Sequence, residues 1–175
     1  MAKLSEKVKA RHKEQRKISL EEHCESHINN PVIKNGMITL LALFKELKMK
    51  PSWYYSGKYK CHYKKQPVVY FTVSAKNCWI YVTALNSLDN GYNNDINGYM
   101  QVLDDEIRAE VVSRFTECTA CRSCAPGGSF EYKGKVYQNI CPKQLTWNFT
   151  NPNEEQFGKI EKLIMARRKY LENAV

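Results

Sequence analysis

The sequence has no apolar run of eighteen or more residues, so no membrane-spanning helix is expected. It opens Met1-Ala2-Lys3-Leu4-Ser5-Glu6-Lys7 with no apolar signal segment behind it, and the cytoplasm is the expected location. Internal repeats and low-complexity tracts are absent. So are a Gly-rich phosphate loop, a nucleophile elbow and a paired-carboxylate motif, and the chain reads more readily as a binding protein than as an enzyme. Asp104-Asp105-Glu106 is a helix start, with acids at the positive end of the dipole, rather than a catalytic pair. Asn148-Phe149-Thr150 matches a glycosylation acceptor, but that chemistry needs secretion.

What is present suffices for one core. The 175 residues are 43% hydrophobic and 26% charged, and a compact chain of this size buries roughly 70% of its unfolded surface. Disulfides are not required. The seven cysteines are an odd number, and in a reducing compartment clustered cysteines bind metal or do redox work. Cys24, Cys61 and Cys78 stand apart from any cluster and read as small buried hydrophobes.

The net charge of +9 is unevenly spread. Residues 1–17 carry a net +5, residues 45–65 a net +6 and residues 89–110 a net −5. Such a dipolar field attracts nucleic acid or an acidic partner. Residues 1–17 contain no large apolar side chain after Val8, so they read as a basic extension preceding a single domain, residues 18–175. Lys7, Lys9, Arg11, Lys13, Arg16 and Lys17 are its candidate phosphate contacts. With no recognised nucleic-acid motif, weak non-specific binding on the order of 10⁻⁴–10⁻⁶ M is expected from charge alone.

Ser19-Leu20-Glu21-Glu22 is a capping box that predicts a helix from Leu20 to about Ile28. Asn30-Pro31 starts a second helix, in which Ile33, Met37, Leu40, Leu41, Phe44 and Leu47 recur three and four residues apart. The period then shortens. Lys58–Tyr63, Val68–Val73 and Cys78–Thr83 are aromatic and β-branched, and short turns between them predict an antiparallel meander. Residues 86–98 read as a loop. A helix with Ile107, Val111 and Phe115 buried follows, then a hairpin over Phe130–Tyr137 and a strand from Leu145 to Phe149. Asn151-Pro152 repeats the cap-plus-proline signature before a last helix whose Arg167, Arg168 and Lys169 suit its negative end. Strands and helices fall in separate runs, so the class is α+β, an antiparallel meander sheet packed by helices on one or both faces.

The most specific motif is Cys118, Cys121, Cys124 and Cys141, spaced C-x2-C-x2-C-x16-C. Zinc takes four thiolates in a tetrahedron, and a two-residue spacer lets consecutive cysteines bind one ion. Pro126-Gly127-Gly128 turns the chain away and the hairpin returns it to Cys141. The expectation is a structural zinc knuckle over residues 118–141, with no open position for catalysis. The same run, with Pro142 after the last cysteine, also resembles the iron–sulfur ligand pattern of bacterial ferredoxins, which leaves a redox protein as an alternative. Free or switchable thiols remain a third reading.

Two weaker constellations remain. His23 and His27 lie four apart on the first helix, a spacing that can chelate a metal, although Cys24 stands where a protease helix needs glutamate. The meander is rich in aromatics interleaved with Lys58, Lys60, Lys64 and Lys65. Among its rings, Trp53, Tyr55, Tyr70, Trp79 and Tyr81 are the candidate binding residues, able to stack bases or line a small-molecule pocket. The alternative is that they only pack the core.

An amphipathic helix over residues 31–48, then Trp53-Tyr54-Tyr55-Ser56-Gly57-Lys58, the meander and a basic C-terminal helix together resemble the YdhG-like group of small bacterial α+β domains. The resemblance covers residues 31–83 and 145–172, implies that α+β fold in a bacterial protein, and supplies no catalytic residues. The cysteine insert is not part of that pattern and resembles a module of Firmicute proteins. The sequence therefore points to a small-molecule or protein-binding domain with a zinc staple, with nucleic-acid binding and thiol or iron–sulfur redox work as alternatives.

Overall fold

The computed structural model describes residues 18–54, 58–75, 77–83, 96–117, 128–141 and 145–173. Helix α1 (Leu20–His27) is capped as expected: the Ser19 hydroxyl accepts from the Glu22 N–H at 3.1 Å. In α2 (Pro31–Glu46) Asn30 Oδ1 accepts from Val32 and Ile33 N–H. Pro31 occupies the first turn, where a missing N–H costs nothing.

Four strands then run as a meander, β1 (Pro51–Trp53), β2 (Lys58–Tyr63), β3 (Gln66–Val73) and β4 (Cys78–Val82). Helices α3 (Ile96–Val102) and α4 (Asp105–Ser113) follow, then the hairpin β5 (Gly128–Tyr132) and β6 (Lys135–Ile140). Strand β7 (Trp147–Thr150) returns to pair with β4, giving an antiparallel sheet of order β1-β2-β3-β4-β7 with β5-β6 as a separate two-stranded sheet. Helix α5 (Glu154–Asn173) closes the described chain. The α+β class is as the sequence indicates, and no described helix is long and apolar enough to cross a membrane.

One face of the sheet holds the core. Tyr59, Cys61, Phe71, Val73, Cys78, Ile80 and Val82 alternate inward along their strands. Phe44 of α2 stacks on Phe71, which stacks on Tyr59. Full burial of such a side chain contributes roughly 1.5–3 kcal/mol. Helix α5 adds Phe157, Ile160, Leu163 and Ile164. It lies so close to α2 that a Cβ at Gly36 would overlap the Phe157 ring.

The structure alters several details of the sequence reading. Residues 96–98 belong to α3, whose Ile96, Tyr99 and Met100 are buried. Asn151 does not cap α5. It sits at φ 49° and its Oδ1 accepts from the Cys78 N–H at 2.8 Å, while Asn153 Oδ1 caps the helix by accepting from Gln156 N–H. Arg167 is not a surface charge at a helix end: α5 runs on to Asn173, and Arg167 is fully buried, with its guanidinium over the Tyr170 ring and its Nε donating to Pro67 O. Burial pulls its pKa down to about 10 despite the neighbouring Tyr99 and Tyr170.

Candidate functional site

Strand alternation that turns the core residues inward turns a second set outward. The register pairs Lys60 with Tyr70 and Tyr70 with Tyr81, and Tyr81 pairs with Asn148. The neighbouring row runs Lys58, Thr72, Trp79, Thr150. Tyr54, just past β1, donates its N–H to Lys58 O and so joins that second row. This face carries Lys58 and Lys60 and, among the described residues, no carboxylate.

The rings touch in series. Tyr54 meets Tyr70 at 5.8 Å between centroids, Tyr70 meets Tyr81 at 6.2 Å, and Trp79 stacks on Tyr81 at 5.7 Å and 21°. An ammonium group stands over each end of the series: Lys60 Nζ lies 4.6 Å from the Tyr54 ring and Lys58 Nζ 5.7 Å from the Trp79 ring. Such contacts hold a lysine head over a π face without neutralising it. Tyr54, Lys58, Tyr70, Trp79, Tyr81 and Asn148 line a shallow groove of about 280 Å³. Burial, helped by the Tyr54 and Tyr81 hydroxyls, raises the Tyr70 pKa, so this phenol remains a neutral hydrogen-bond donor.

The structure therefore brings together Tyr70, Trp79 and Tyr81. Trp53 is the exception. It pairs with inward-facing Tyr59, meets that ring edge-on at 5.3 Å and packs on the helix-covered side. Its neighbour Tyr54 takes the outward place. Parity along β1 separates the two, but the pairing that decides which parity faces out is not written in the local sequence. Tyr55 lies outside the described residues, as do Cys118, Cys121, Cys124 and the basic residues Lys7, Lys9, Arg11, Lys13, Arg16 and Lys17.

Other candidates are occupied by structure. His23 and His27 stack at 4.8 Å, but His23 Nε2 hydrogen-bonds Val73 O at 3.1 Å and His27 Nδ1 pairs with Ser26 Oγ at 2.6 Å. Burial, then the Lys60 charge, lowers the His62 pKa. Burial pushes the thiols of Cys24, Cys61 and Cys78 up to about 12, which makes them poor nucleophiles and poor redox groups. Cys141 is partly exposed at the end of β6. Among the described residues no group of three or more His, Cys, Asp or Glu side chains is placed to hold a metal ion. Comparison with protein-family models, with curated proteins and with solved structures found no match to this chain.

Proposed function

We propose that this chain is a binding module whose ligand site is the open face of its sheet, and that the ligand is planar and negatively charged. The observation that carries the reading is the unbroken series Tyr54–Tyr70–Tyr81–Trp79 with Lys60 and Lys58 over its ends. Half-buried rings offer π faces for stacking, and the lysines supply positive charge at the ends of the series. A screen of planar aromatic anions, such as flavin mononucleotide and the nucleoside monophosphates, should move the Trp79 indole N–H resonance in wild-type protein. Trp79→Ala identifies that resonance by its loss and should weaken the same ligands without unfolding the chain. A Trp79 resonance that no member of the screen shifts sinks the reading.

A second reading concerns the cysteines. Glu117 and Gly128, on either side of residues 118–127, both pair with Ile140, the residue before Cys141. That closure supports a centre in which Cys118, Cys121, Cys124 and Cys141 hold one zinc ion, because each cysteine is at most four residues along the chain from Glu117, Gly128 or Ile140. Zinc would then pin the hairpin to the end of α4, whose buried stripe is Ile107 and Val111; Phe115, expected in that stripe, lies two residues past the helix, is only partly buried, and meets the rings of Phe130 and Tyr137. Elemental analysis of anaerobically purified protein should give one zinc per chain. Brown protein containing iron would move the centre to the iron–sulfur alternative, and metal retained in full by Cys141→Ser would end the four-thiolate reading.

A further inference from the structure

We infer that the ligand of the open sheet face is single-stranded nucleic acid, an inference that rests on the planar-anion reading above and narrows it. One base would engage one ring and one lysine. The face offers more: ring-to-ring steps of 5.8, 6.2 and 5.7 Å, and separate ammonium groups at the two ends. A ligand that matches this is a repeat of planar groups joined by repeated negative charges, which is the chemistry of an oligonucleotide strand. Sheet faces of this construction stack two or three bases, and stacking is tolerant of sequence because every base has a π face.

The register adds a second argument. In the outward row Lys58, Thr72, Trp79, the small Thr72 stands between the lysine and the indole. Across it the Lys58 head reaches the Trp79 ring, and both residues line the 280 Å³ groove together with Tyr81. A base entering that groove would meet the Trp79 ring and the Lys58 charge together. The strand backbone would follow the lysines, while Asn148, exposed on β7 beside Tyr81, supplies an amide for a base edge. Duplex is disfavoured, because its bases are stacked on each other and not available to the rings.

The test is a titration of the full chain with single-stranded eight-nucleotide RNA and DNA, the matching duplexes and single mononucleotides, with affinities from calorimetry and contact at the face followed at the Trp79 indole N–H resonance. The single strands should shift it and bind at least tenfold more tightly than a mononucleotide. Trp79→Ala should weaken strand binding about five- to hundredfold, the range for one lost base–aromatic stack. Thr72→Phe, which puts a large ring between Lys58 and Trp79 in the outward row, should weaken it too. Two lysine–phosphate contacts predict an affinity that falls about sevenfold between 50 and 200 mM salt, a dependence that Lys58→Ala/Lys60→Ala should remove at this face. A mononucleotide that binds as tightly as the strand overturns the inference and leaves the planar-anion reading standing. Strand binding that leaves Trp79 unmoved and survives Trp79→Ala also overturns it, and assigns the binding to basic residues elsewhere.

Discussion

The two faces of the main sheet are built from the same strands and differ in what covers them. Tyr59, Phe71 and Ile80 alternate with Lys58, Tyr70, Thr72, Trp79 and Tyr81, yet the first set is sealed under α2 and α5 and the second remains partly exposed. Aromatic content is high on both. Aromaticity therefore does not separate the covered face from the open one in this molecule. What separates them is the company each ring keeps: apolar helix residues on one side, lysines and a shallow groove on the other.

Truncation across the two faces should show the largest contrast. Phe71→Ala removes a ring that touches both Phe44 and Tyr59 and should cost about 3–5 kcal/mol, whereas Trp79→Ala should stay within about 1 kcal/mol. Urea unfolding of the two variants measures the difference, and equal losses would mean that the outer face is core as well.

The covered side also holds thiols that do not ionise. From an ordinary value of 9.0, burial moves Cys24, Cys61 and Cys78 to about 12. Between those values the unfolded chain has released protons that the folded chain keeps. Stability is thus complete below pH 9 and falls as pH rises through it, by about 1 kcal/mol per thiol at pH 10. Melting curves from pH 8 to 10 should show that decline, and replacing the three cysteines with alanine should flatten it. At pH 8 iodoacetamide should leave all three unmodified until the protein is unfolded.

Gly36→Ala perturbs only the helix-covered side. The new methyl gains helix propensity but collides with Phe157, and overpacking should cost about 1–3 kcal/mol. Its effect on binding at the outer face should be nil. The smallest expected change is a gain. Lys64 and Lys65 turn β2 into β3 at φ 47° and 67°, a conformation that glycine adopts freely. Lys65→Gly should raise stability by about 1 kcal/mol and leave the ring series intact, which a chemical denaturation midpoint and the Trp79 resonance together report.

Elements governed by nearby residues were legible in the sequence. Ser19 and Asn30 cap their helices through side chains two or three residues from the donors they satisfy, and the meander follows from alternation and turn residues. Facts set by distant partners were not. Nothing near Trp53 tells that it faces Tyr59 and the helices while Tyr54 turns out, because that depends on the pairing of β1 with β2. Arg167 looks like a helix-end charge until α5 is packed on the sheet, where Pro67 O and Tyr170 surround it. Asn151 has a cap's composition and serves β4 instead. Tyr70, Trp79 and Tyr81 are visible as candidates because the meander is rich in aromatics interleaved with lysines, but their serial contact needs the register of neighbouring strands.

The position of β7 in the sheet has a consequence for synthesis. β7 pairs with β4 across some seventy residues of chain, and α5, which follows it, brings Phe157 against Gly36 of α2. On the ribosome, the meander and α2 therefore emerge with the inner face of β4 and one side of α2 still bare. Local turns can zip early, but the long loop must close before the core is sealed, a step that chain entropy makes slow. A nascent chain arrested before residue 147 should bind chaperones and yield to protease, whereas one released beyond residue 173 should resist.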